Sequence, residues 1–138
     1  MKKFVFVLAL FSLSIFAFAC GGSSSGGGKE VGKSSVNNLM VTLATESGVL
    51  KSGANDFTLT FADASGKPVD AGAASVNFFM PAMGSMSAMN DAATLTTSGT
   101  PGVYNGKVKL SMAGEWQAQI AFEGAAGKGK TSFQITAQ

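Results

Sequence analysis

The sequence has no histidine, no arginine and a single cysteine, Cys20. Serine and cysteine nucleophiles are activated by a neighbouring base, which in most hydrolases is an imidazole. The acidic residues show no spacing that indicates a catalytic carboxylate pair. We therefore predict that the protein is not an enzyme and has no catalytic residues.

Charge is scarce and balanced. Two of the ten lysines, Lys2 and Lys3, belong to a predicted leader, so eight cations remain to face eight acidic residues. A neutral domain without guanidinium groups binds phosphate and nucleic acid poorly. Two phosphate-loop patterns occur, at 27–34 and 124–131. The first lies in a Gly/Ser tract, and an alternating strand pattern follows the second where a helix would be needed. We predict a hairpin at 124–131, with no nucleotide and no nucleic-acid partner.

The N-terminus has the features of an export signal. Lys2 and Lys3 precede an apolar run over 4–16, and Ala17-Phe18-Ala19, with a small residue at each end, leads to Cys20. This end resembles a bacterial lipobox, in which the cysteine is diacylated and becomes the mature N-terminus. Ordinary signal cleavage is the alternative, and it would leave an unpaired thiol in an oxidising compartment. We predict a signal peptide at 1–19 and lipidation of Cys20, which attaches the protein to the lipid bilayer.

The predicted location follows from this anchor. The protein is expected to be an extracytoplasmic lipoprotein on the periplasmic side, with the outer membrane favoured if the host is Gram-negative. Residues 20–35 are rich in glycine, serine and polar residues. Such a segment behaves as a flexible coil, and about fifteen residues give it a root-mean-square reach of roughly 20 Å. We predict a tether at 20–35 and one folded domain at 36–138.

Alternation of apolar and polar residues recurs along the whole domain, and no segment shows a sustained helical period. Turn residues separate seven such runs. The runs are 39–43, 57–61, 76–80, a weaker one at 92–97, 104–112, 116–122 and 133–135. The pattern predicts an all-β, seven-stranded immunoglobulin-like β-sandwich. The cysteine pair common in that fold is missing, so apolar packing alone would hold the sheets together.

Four methionines recur at every third residue: Met80, Met83, Met86 and Met89. Thioether sulfur is a soft, neutral ligand that suits Cu(I) or Ag(I), and it needs no deprotonation to bind. Met83, Met86 and Met89 fall in a predicted loop that can turn all three sulfurs to one side. Strand alternation assigns Met112 to the core. It assigns Met80 to the core less directly, so Met80 is kept as a fourth candidate ligand after the three loop methionines. The predicted ion is not required for folding.

Four short motifs give the domain a family resemblance. They are 63–69 (Asp-Ala-Ser-Gly-Lys-Pro-Val), 80–84 (Met-Pro-Ala-Met-Gly), 102–104 (Gly-Val-Tyr) and 112–116 (Met-Ala-Gly-Glu-Trp). Over 38–137 the chain resembles the YtkA-like family of exported domains, which is related to FixH-like proteins and often found near copper-handling components. The resemblance implies an immunoglobulin-like fold and a role in metal handling. It also implies copper efflux or oxidase assembly proteins as partners.

The resemblance matches Met80 and Met83, while Met86 comes one residue later than in the commoner Met-Gly-Met form and has no accompanying histidine. Trp116 is a further candidate, because an indole face can contact Cu(I) through a cation–π interaction. Its alternation with Ala118 and Ile120 favours core packing instead.

Two functions remain open from the sequence. The first is a membrane-tethered protein that binds or delivers Cu(I) or Ag(I) through the methionine-rich loop. The second is an immunoglobulin-like interaction or structural module without metal. In that case the methionines cap the core or form an adaptable apolar surface for a partner protein.

Overall fold

The computed structural model describes residues 28–138, which form nine β-strands. The predicted signal peptide and Cys20 lie outside these residues. Within 28–138, no helix has the length and apolar character needed to cross a membrane. The strands are β1 (Lys29–Val36), β2 (Leu39–Thr45), β3 (Gly53–Ala62), β4 (Ala73–Met80), β5 (Met89–Ala92), β6 (Thr94–Thr97), β7 (Val103–Leu110), β8 (Gly114–Gly124) and β9 (Gly127–Ala137).

The strands form two antiparallel sheets packed as a sandwich. One sheet has the order β1-β2-β3-β7-β6, and the other has the order β5-β4-β8-β9. Strands β2, β3, β7 and β6 have the chain and sheet order of strands A, B, E and D of an immunoglobulin constant-type domain, and β4, β8 and β9 correspond to C, F and G. The all-β class is confirmed, whereas the count of seven strands is wrong.

The first additional strand is β1, and all of its residues except Val36 were assigned to the tether in the sequence analysis. It pairs with β2 through a two-residue turn at Asn37 and Asn38, whose φ angles are 50° and 62°. Positive φ at both central residues is the signature of a type I′ hairpin turn, and asparagine tolerates it. Ser34 Oγ also lies 2.6 Å from Thr131 Oγ1 of β9. The predicted tether is therefore wrong over residues 29–35, because this polar segment is held by hairpin pairing.

The second difference concerns 92–97, which the sequence predicted as a single strand. The structure divides this region between the sheets, because β5 pairs with β4 whereas β6 pairs with β7. Ala93 lies at the crossing point, and its N–H donates to the carbonyl of Val76 at 2.9 Å. The predicted strand therefore covers β6 and only the last residue of β5, and Met89, which was predicted to lie in a loop, is the first residue of β5. Alternation along the sequence cannot report a change of pairing partner.

The core lies between the inward faces that alternation predicted. Phe57 and Phe78 meet edge to face across the two sheets, with their ring centroids 5.9 Å apart. Phe61 packs on Phe122 in the same way at 5.2 Å. The hairpin predicted at 124–131 is confirmed, since β8 and β9 pair continuously up to Gly124 and Gly127.

Strand directions define the two ends of the sandwich. One end, here called the hairpin end, contains the start of β1, the β2–β3 connection (46–52), the β4–β5 connection (81–88) and the β7–β8 turn (111–113). The other end, here called the far end, contains the β3–β4 connection and the β6–β7 and β8–β9 turns. The methionine-rich segment lies entirely at the hairpin end.

Candidate metal site

The methionine-rich segment is a β-hairpin that carries two cross-strand methionine pairs. Met80 at the end of β4 lies opposite Met89 at the start of β5. At the tip, Met83 N–H donates to Met86 O at 3.1 Å and Met86 N–H donates to Met83 O at 2.9 Å. Residues that exchange both bonds lie opposite each other, with Cα atoms about 5.5 Å apart and side chains on the same face. The tip therefore brings the Met83 and Met86 side chains together.

The sequence explains why the tip closes in this way. Gly84 is the first residue of the two-residue turn and has a φ of +57°, while Ser85 does not have a positive φ. A positive φ at the first central residue alone fits a type II′ turn, which favours glycine there. Pro81 has no N–H to donate, so regular pairing is interrupted between the two methionine pairs.

Exposure separates the four methionines into two kinds. At the tip, Met83 is 51% exposed and Met86 is 39% exposed, whereas Met80 is 1% exposed. Met89 is half-buried and packs against the core. The Met80 Cε methyl lies 3.1 Å from the position a Cβ atom would take on Gly114, so this side chain fills space inside the sandwich. Of the four predicted ligands, the structure places Met83 and Met86 at an accessible tip and Met80 in the core.

Trp116 and Met112 belong to the interior beneath this end. The Trp116 side chain is fully buried, and its indole N–H donates to the Met112 carbonyl at 3.1 Å. Burial leaves no indole face accessible to an ion at the hairpin tip. Trp116 is therefore a core residue, as its alternation with Ala118 and Ile120 predicted. Met112 lies in the β7–β8 turn and packs partly buried against the core.

The hairpin is fixed to the neighbouring turn by one acidic side chain. The Asp91 carboxylate of β5 accepts hydrogen bonds from the Ser111 N–H at 2.7 Å and from the Ser111 hydroxyl at 3.0 Å. Sequence reasoning missed this contact because the two residues are separated by 20 positions and neither belongs to a recognisable motif. Residues 80–90 contain no charged side chain, so the tip is electrically neutral.

The described part of the chain does not bring carboxylate, imidazole or thiol side chains together at a metal site. Among residues 28–138, no group of three or more His, Cys, Asp or Glu side chains is placed to hold a metal ion. The hairpin is where soft donors cluster among these residues, since the other exposed thioether, that of Met40, lies near the far end. Neutral sulfur ligands favour a soft monovalent ion over Mg²⁺ or Ca²⁺.

Two of the other family motifs support the fold at the far end. Asp63 accepts hydrogen bonds from the Ser65 and Lys67 N–H groups at 2.9 and 3.1 Å. The hydrogen bond from the Ser65 hydroxyl, followed by those from the backbone, lowers the pKa of the Asp63 carboxyl. The Tyr104 hydroxyl donates to the Gly72 carbonyl at 2.7 Å. Burial, followed by repulsion from Asp70, raises the pKa of Tyr104.

Comparison with known proteins agrees with the motif resemblance. The family model described as YtkA-like matches residues 33–121, which is 89 of the 138 residues. A comparison with curated proteins finds no match. Because the match covers more than half of the chain, this protein belongs to the YtkA-like family.

Proposed function

We propose that this protein is a membrane-tethered, extracytoplasmic protein that binds or delivers Cu(I) or Ag(I) without catalysing a reaction. Cys20 is its proposed lipid attachment site, and the Met83–Met86 pair provides its primary ligands. Met89 is the third candidate ligand, because it lies on the same hairpin and its side chain is only half-buried, so part of it is accessible. Copper efflux or oxidase assembly proteins are the proposed partners.

The observation that supports this proposal is the reciprocal hydrogen bonding between Met83 and Met86. It holds two exposed thioether side chains next to each other on one face of a tight turn. Cu(I) and Ag(I) accept low coordination numbers, so two thioethers already fill most of the ligand positions around such an ion. The remaining position can be filled by Met89 or by a group of a partner protein.

The neutrality of the tip also fits the delivery of a soft ion. Thioethers need not lose a proton before binding, unlike cysteine thiols or histidine. Uptake and release should therefore depend little on pH. A site made only from the exposed tip also holds its ion without enclosing it, so a receiving protein can approach the ion directly.

Replacement of the sulfur atoms tests the proposal. Leucine keeps nearly the volume and apolar character of methionine but removes the donor. The test compares the wild-type domain with a Met83→Leu/Met86→Leu/Met89→Leu variant. Met40→Leu is the matched control, because Met40 is 40% exposed and lies on β2 near the far end.

Binding is measured anaerobically, by competition with a chromophoric Cu(I) chelator. We expect the triple variant to bind at least about tenfold more weakly, a loss of ~1.4 kcal/mol, and the control to match the wild type. Equal and weak Cu(I) uptake by all three proteins would refute the metal-binding function.

That result would favour the second candidate, an interaction module without metal. The observation that favours this alternative is the apolar and uncharged surface of the tip, with Met83 and Met86 exposed. Methionine adapts its shape to different apolar partners. In that case, leucine at both positions would preserve partner binding.

A further inference from the structure

The tip pair differs from the other hairpin methionines in how easily an oxidant reaches the sulfur. Every residue between β4 and β5, over 81–88, is exposed, and this segment includes Met83 and Met86. Met80 is buried in the core, whereas Met89 is half-buried against it. A thioether is oxidised only when the oxidant contacts its sulfur, so exposure decides which methionines of a folded protein react.

The oxidation is a transfer of one oxygen atom to sulfur. A sulfur lone pair attacks one oxygen of hydrogen peroxide, so that an S–O bond forms and the O–O bond breaks. The proton on the transferred oxygen passes to the departing hydroxide, which leaves as water. Sulfur is oxidised by two electrons and the peroxide is reduced by two. The product, methionine sulfoxide, is polar where the thioether was apolar, and its oxygen is a hard donor that suits a soft ion poorly.

We propose that Met83 and Met86 form a paired oxidation site, at which hydrogen peroxide changes the hairpin tip from an apolar, soft-donor surface into a polar one while the sandwich stays folded. The two hydrogen bonds that close the tip join backbone atoms and do not involve sulfur. At the exposed tip the new S–O group enters water. The same change at Met80 would place a polar group inside the core, which is costly without a hydrogen-bond partner.

Oxidation of the tip would switch off either candidate function. A partner protein that packs on the apolar tip loses that contact, and a soft ion loses two thioether ligands. The effect on an ion rests on the proposed function, whereas the oxidation itself does not. Methionine sulfoxide reductases, one for each sulfoxide epimer, restore the thioether. Because the tip is exposed, it is open to these enzymes, and the modification is reversible.

Mapping of the sulfoxides after peroxide treatment tests the site. The full-length protein is treated with a limiting amount of hydrogen peroxide, and each sulfoxide is located by fragmentation of its peptides in a mass spectrometer. In the native protein we expect Met83 and Met86 to react at least about tenfold faster than Met80, because Met80 becomes accessible only when the core opens. In urea the three rates should become equal.

Met40 supplies the matched control. Its side chain is exposed to nearly the same degree as that of Met86, but it lies opposite Ser35 and Ala62, away from the other methionines. Peroxide should shorten the retention of a Met40→Leu variant on a hydrophobic column, and the two reductases should restore it. The retention of a Met83→Leu/Met86→Leu variant should change far less. Oxidation of the Met40→Leu variant should lower its midpoint of thermal unfolding by less than about 4 °C.

Oxidation of Met80 at the same rate as the tip in the native protein would overturn the inference, and so would unfolding of the sandwich on oxidation of the tip. Ag(I) separates this result from the proposed function, and it is used because peroxide would oxidise Cu(I). Under the proposed function, bound Ag(I) should slow the oxidation of Met83 and Met86 but not that of Met40. If oxidation is selective and Ag(I) gives no protection, the metal-binding function fails and the oxidation site stands.

Discussion

The turn at Gly84 offers a test of whether the geometry of the tip, and not only its sulfur content, determines metal binding. Gly84 has a φ of +57°, and a Cβ atom built on it would meet no other atom within 4 Å. A Gly84→Ala substitution therefore adds backbone strain without a steric clash. The strain of an L-residue in this region is about 1–2 kcal/mol.

That strain is similar to the stability of the tip itself. The tip is closed by the two hydrogen bonds between Met83 and Met86, each worth about 0.5–1.5 kcal/mol net. We expect Gly84→Ala to open the turn locally and to separate the two thioethers. If the paired form is the one that binds, Cu(I) affinity should fall by up to about tenfold, which corresponds to ~1.4 kcal/mol. The sandwich below the tip should remain folded.

A second glycine supplies the matched control. Gly66 lies in the β3–β4 connection at the far end, has a φ of +85° and also has open space around its Cβ position. Gly66→Ala therefore introduces a comparable backbone strain away from the methionines. The assays are anaerobic competition for Cu(I) and thermal unfolding of each variant. The reasoning is refuted if Gly84→Ala binds Cu(I) as tightly as the wild type, or if Gly66→Ala weakens binding equally.

Two further predictions concern the fold. Tyr104 is the sole tyrosine, so its phenolate absorbance should titrate above the ordinary pKa in the native protein and return to about 10 in denaturant. Because the native pKa is raised, the stabilising contribution of the protonated Tyr104 side chain is complete below pH ~10 and is lost as the pH rises through the native value. Tyr104→Phe should remove this part of the loss of stability at alkaline pH, as measured by urea unfolding. Met80→Ala should lower the free energy of unfolding by about 2–5 kcal/mol, whereas Met83→Ala at the exposed tip should change it by less than about 0.5 kcal/mol in the same assay.

Most of the fold could be predicted from the sequence because its core strands alternate strictly. Phe57, Leu59 and Phe61 are all buried as their spacing predicts. Strand β1 was missed because its serines, lysines and glycine resemble a linker. Its pairing depends on the Asn37–Asn38 turn, which is a local signal present in the sequence. Composition was therefore a poorer guide there than turn chemistry.

The positions of the candidate ligands could be predicted only in part. Three-residue spacing drew attention to residues that the structure places on one hairpin, but spacing alone could not show which methionines face outward. That division depends on pairing, because Met80 lies opposite Met89 near the core while Met83 lies opposite Met86 at the tip. The contact between Asp91 and Ser111 had no signal in the sequence, since it arises only when the two sheets pack together.

The presence of methionine has different explanations in the two methionine pairs. Met80 fills space beside Gly114, and an unbranched apolar side chain explains its presence there without any role for sulfur. Burial does not explain the tip in the same way, since Met83 and Met86 are exposed and add little to the core. What distinguishes the tip pair is two adjacent soft donors on one face, so the triple leucine variant tests the one property of these residues that packing does not explain.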